Sequence, residues 1–148
     1  TLAEEAASLL KALQQRSKEA PDAYKQPIYV GIYQVGPRSR ALSGKRIEEL
    51  AHFPDMTPEE YIAGQMVYPV DLLEKNIPGF ALCEFTIDKE GVILRPHIVR
   101  STHPEFAEEA LRIVKGMPKW APALVEGKPT DSNYTLYIPF RPQNYRAK

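Results

Sequence analysis

Cys83 is the sole cysteine of a 148-residue chain, and it alternates with Ala81, Phe85 and Ile87. A reactive thiol needs a base or a helix N-terminus to lower its pKa. A cysteine in phase with core residues reads instead as a small buried hydrophobe. His52, His97 and His103 lack the short spacings of a zinc site and have no nearby cysteines. His103 precedes Pro104 and so falls at a helix cap, while the other two read as surface residues. Ser101 and Thr102 carry hydroxyls, but no Gly-x-Ser-x-Gly turn surrounds them. Carboxylates are plentiful, yet no pair is fixed on a shared rigid face in a cleft. Trp120 reads as packing over a sheet and not against a ligand. These residues predict no enzyme, no cofactor and no metal site.

The totals narrow the partners. Lysine plus arginine equals aspartate plus glutamate, at 19 each, which removes the usual electrostatic argument for nucleic acid or an anionic membrane. One cysteine forbids an intramolecular disulfide and is compatible with cytosol or periplasm. No apolar run approaches the roughly 20 residues that span a bilayer. The chain opens on Thr1, so any membrane anchor is expected upstream of it.

Stepping along the chain, Leu2, Ala6, Leu9, Leu10 and Leu13 recur at helical spacing and predict an amphipathic helix ending before Pro21. Its apolar face would dock on the domain, or else serve a stalk or self-association. Residues 28–35 are rich in β-branched and aromatic types between Pro27 and Gly36-Pro37, which predicts a strand. Arg38, Arg40, Lys45 and Arg46 then mark an exposed loop. Thr57-Pro58-Glu59-Glu60 is a helix start with a capping box, for a helix to about Met66. A second short helix covers 70–75. In 79–88, Ala81, Cys83, Phe85 and Ile87 take one face of a strand and Phe80, Leu82, Glu84 and Thr86 the other. Asp88 to Gly91 has hairpin chemistry, and 94–100 is the returning strand. Pro104 opens a helix with a stripe of Phe106, Ala107, Ala110, Leu111, Val114 and Met117, and Glu108 with Arg112 makes an exposed i,i+4 pair. Residues 133–140 alternate, with Tyr134, Leu136, Ile138 and Phe140 on one face and Asn133, Thr135 and Tyr137 on the other.

The fold class is α+β, with a β-β-α-β order. Proline lacks the N–H that a central strand donates, so the strands holding Pro96 and Pro139 should be edges. That gives a small three-stranded antiparallel sheet in order 2-1-3, crossed by the helix. The last strand keeps an unpaired edge, a template for another strand.

Several of these runs together resemble one family. Tyr68-Pro69, Ile77-Pro78-Gly79 and Asp88-Lys89-Glu90-Gly91 are similar to the opening of TonB C-terminal domains. Met117-Pro118-Lys119-Trp120 with Pro122 resembles the exit of that family's helix, and Tyr134 to Phe140 its last strand. The form of these motifs and of Glu49 to Pro54 is most similar to versions from the Bacteroidetes. The chain departs from the pattern at Pro96, where a bend or bulge is expected, and at Phe80. Residues 47–148 are therefore expected to form a TonB C-terminal-like domain, preceded by a helix-and-strand appendage at 1–46.

The resemblance implies a periplasmic protein-binding domain for energy transduction in transport. It would dock an extended segment of an outer-membrane TonB-dependent receptor by strand addition, and reach inner-membrane motor proteins through residues upstream. The implied contacts are Asn133, Tyr134, Thr135, Leu136, Tyr137 and Ile138, with outward side chains such as Tyr137 tuning specificity. Gln65 has the offset of a glutamine that the family places near the receptor segment; otherwise it is an exposed helix-end residue. The same edge could pair with a second copy as a strand-exchanged homodimer, or be covered by residues 28–35. The alternative function is an envelope structural or regulatory module, on a lipoprotein or membrane sensor, that uses the fold for self-association or partner docking.

Overall fold

The alternating run forms β3 (Gly79–Ile87), the spine of an antiparallel sheet. Around it lie β1 (Ile28–Val30), β2 (Tyr33–Pro37), β4 (Ile93–Ser101) and β7 (Ser132–Phe140). In the computed structural model, which describes residues 28–30 and 33–145, their order is β1-β2-β7-β3-β4. A separate two-stranded hairpin joins β5 (Ala123–Val125) to β6 (Lys128–Thr130). The described helices are α1 (Pro58–Gln65), α2 (Val70–Glu74) and α3 (Pro104–Lys115). The expected 2-1-3 arrangement is present as β4-β3-β7, so the class is α+β as the residues indicated. The helix expected near the N-terminus lies outside the described residues.

Local chemistry explains these elements. The Thr57 hydroxyl accepts from Glu60 N–H at 3.1 Å, capping α1 ahead of Pro58. Asp88 accepts from Glu90 and Val92 N–H at 2.9 Å each and closes the β3–β4 hairpin. Gly91, at φ 86°, completes that turn. A Cβ there would overlap the Trp120 carbonyl, since Trp120 N–H donates to the Gly91 carbonyl at 2.9 Å. Pro96 does distort β4. Glu84 pairs with His97 and Thr86 with Leu94, so Arg95 and Pro96 together face one residue of β3, and Arg95 takes φ 51°. A second register shift falls between Leu82 and Cys83.

The sheet has two unlike faces. Ala81, Cys83, Phe85 and Ile87 of β3 join Leu136, Ile138 and Phe140 of β7 beneath the helices. α3 contributes Phe106, Ala110, Ile113 and Val114, and Phe106 stacks on Phe140 with centroids 4.1 Å apart. The buried stripe thus includes Ile113, with Leu111 only partly buried. On the other face Phe80, Leu82, Val35 and Tyr137 form a smaller buried cluster.

Three expectations change. The single strand expected at 28–35 is a hairpin, because Ile28 pairs with Val35 and Val30 with Tyr33. Gly36 and Pro37, expected to bound that strand, lie inside β2. Arg112 pairs with Glu109 at 2.6 Å, and Glu109 is buried. The i,i+3 partner wins over Glu108 because its carboxylate also accepts from Val67 N–H at 2.6 Å.

Candidate partner-binding edge

β7 is held on one side along its whole length, from Gly79 opposite Phe140 to Ile87 opposite Ser132. Its other side is divided. Gly36 pairs with Thr135 and Pro37 with Tyr134, and Arg38 N–H donates to the Asn133 carbonyl at 3.1 Å. Beyond Thr135 the register with β2 stops. The edge expected to be open is therefore covered over its first part by Gly36, Pro37 and Arg38, and not by residues 28–35, which pair with one another.

The break has a backbone cause. Gly36 sits at φ 109°, a conformation that L side chains rarely adopt. Residues 33–35 pair outward with β1, while 36–37 pair inward with β7. The kink at Gly36 turns the strand from one neighbour to the other. It leaves one side of residues 136–140 without a strand partner among the described residues.

Antiparallel ladders alternate the direction of backbone groups. Asn133 and Thr135 face β2, so Tyr134, Leu136, Ile138 and Phe140 direct their backbone groups to β3. In the uncovered stretch the outward groups are then the N–H and C=O of Tyr137 and the C=O of Pro139. Pro139, expected to mark an edge, places its missing N–H on that open side.

The side chains are distributed unevenly. Tyr134 stacks on Phe85 (5.7 Å, 12°) and lies 4.9 Å from Trp120. Burial pushes its phenol pKa far up. Leu136 and Ile138 are core residues. Tyr137, expected to point outward, is buried on the second face at 5.7 Å from Phe80, and burial raises its pKa to about 12. The amphipathic alternation was right, but this face is itself apolar around Phe80 and Leu82. Gln65 ends α1, and its carbonyl accepts from Arg112 at 2.7 Å, so α3 and not β7 sets its place.

The residues that sequence reasoning missed lie where β2 crosses the sheet. The Arg38 guanidinium donates to Glu84 of β3 at 3.1 Å, to the Thr135 hydroxyl of β7 at 3.3 Å, and to the Gln34 carbonyl at 3.2 Å. His97 of β4 lies 3.5 Å from the other Glu84 oxygen. Glu84 was the available signal: a carboxylate midway along a central strand needs a partner. Arg38 was hidden among four similar cations of an expected loop. Cys83 is buried, which raises its thiol pKa to about 12, and Trp120 packs edge-on to Phe53 at 5.2 Å. Among the described residues no cluster of His, Cys, Asp or Glu could hold a metal ion.

No curated protein matches the chain. A solved structure of the TonB2 protein from Vibrio anguillarum is 25% identical, covering 64% of this chain and 83% of that one at a TM-score of 0.44. The family model described as Gram-negative bacterial TonB protein C-terminal matches residues 64–142. That span is more than half of the chain and runs from the end of α1 through β7, so this chain belongs to the TonB C-terminal family.

Proposed function

We propose that this domain works in the periplasm as a docking module for energy transduction. It captures extended segments of outer-membrane transporters by strand addition to β7, and upstream residues link it to inner-membrane motor proteins. Family membership supports a transport-associated role in protein interaction. The observation that carries the docking reading is that, among the described residues, one side of 136–140 has no strand partner, on a strand anchored by nine register pairs to β3. An incoming segment gains backbone hydrogen bonds there without disturbing the core ladder. Titrating the 15N-labelled chain with a peptide from the N-terminal segment of a TonB-dependent receptor tests it. The Tyr137 amide should shift and gain exchange protection; an unmoved spectrum across 136–140 sinks the reading.

A second reading has its own support, because β2 already occupies the first part of the edge. The domain would then be an envelope structural or regulatory module that docks to itself or to another envelope protein. Sedimentation of the purified chain separates the two: a stable dimer that ignores receptor peptide favours the second.

A further inference from the structure

Resting on the docking reading, we infer that the β1–β2 hairpin is a displaceable strap, whose removal opens a longer lane for a segment with apolar residues at alternate positions. The contrast between the two sides of β7 is the starting point. β3 meets it in nine register pairs, β2 in two plus the bond from Arg38. Gly36 prevents β2 from extending that ladder.

Besides the backbone pairs and the packing of Val35, one side chain ties the strap to the sheet. Arg38 joins its own strand, through the Gln34 carbonyl, to Glu84 of β3 and Thr135 of β7. The ion pair is partly solvated, with side-chain exposures of 29% and 32%, and such pairs contribute little. Segments joined by few backbone bonds and solvated pairs open before the core does.

What lies beneath gives the partner its chemistry. Val35 packs with Phe80, Leu82 and Tyr137, and Tyr33 lies against the same cluster. Lifting β2 uncovers these three residues together with the outward groups of Asn133 and Thr135. An entering strand that runs in the lane of β2 meets Asn133, Thr135 and Tyr137 in turn. It restores the apolar contacts only if residues two apart, placed as Tyr33 and Val35 are, are aliphatic or aromatic. A uniformly polar segment would leave Phe80 and Leu82 wet.

Hydrogen exchange on the full chain provides the test. In Arg38→Ala the amide of Thr135, which faces β2 opposite Gly36, should exchange roughly tenfold faster or more, while those of Leu136 and Ile138 keep their rates. Glu84→Gln, which preserves side-chain shape, should act in the same direction. No acceleration at Thr135, or equal acceleration at Thr135, Leu136 and Ile138, overturns the strap. The second arm is fluorescence anisotropy with a labelled synthetic peptide that alternates valine and threonine. It should bind Arg38→Ala several-fold tighter than the native chain, and an all-serine peptide should bind neither. Equal binding to both proteins removes the strap and leaves docking intact. Separated exchange rates with no binding to either keep the strap and remove docking.

Discussion

Cys83 shows how much a single residue type can carry. Its alternation with Ala81, Phe85 and Ile87 placed it in the core, and burial there raises its thiol pKa from the ordinary 9.0 to about 12. Unfolded, the thiol ionises near 9.0, and the phenols of Tyr68 and Tyr137 near 10.0; folded, all three hold their protons to about 12. Between those limits the unfolded chain binds fewer protons. Stability is therefore full below about pH 9 and falls as pH rises toward 12. Urea midpoints measured at roughly pH 8 and pH 10.5 should differ, with the lower midpoint at the higher pH. At neutral pH, Ellman's reagent should label Cys83 only once urea has unfolded the chain. Glu84 and Glu109 mark the limit of residue-level reading. Glu84 meets Arg38 from 46 residues away, and Glu109, beside its i+3 partner Arg112, accepts from Val67 N–H 42 residues away; no local pattern encodes either long-range partner.

At the scale of elements, the legible parts were those fixed by nearby chemistry. The Thr57 cap, the Asp88 turn, the bulge at Pro96 and the alternation of β3 and β7 each depend on residues within a few positions. The pairing of β2 with β7 joins residues about a hundred positions apart, and nothing in residues 28–37 specified that partner. The choice between Glu108 and Glu109 was likewise tertiary. Glu109 is turned inward by the chain segment that follows α1: it holds Arg112, which holds the Gln65 carbonyl, and accepts from Val67 N–H itself. Glu109→Ala should therefore cost about 1–3 kcal/mol, the range for leaving a buried donor unpaired. Amide exchange at Val67 should rise more than exchange in β3. A cost indistinguishable from that of Glu108→Ala would show that the clamp holds nothing.

For the whole molecule, Trp120 is the joint. Its ring meets Phe53, from the segment ahead of α1, and also Phe85 and Tyr134 of the sheet. That segment is stitched to the chain after Trp120 by His52 with Ala121 and by Glu49 with Leu124. Residues on the N-terminal side of the expected division at 46 also enter this body, since β2 joins the sheet and Ala41 joins the main core. One cooperative unit should result. Tryptophan fluorescence and far-ultraviolet circular dichroism should then report coincident urea transitions. An earlier fluorescence change would show residues 47–56 melting alone.

The outer rim of the sheet at β4 has a consequence for stoichiometry. Two bulges, a left-handed Arg95 and a proline break the regular spacing of its outward backbone groups, so no straight strand can follow it for long. β7 offers a regular lane beyond Thr135; β4 does not. β4 therefore adds no second docking position beside the one on β7.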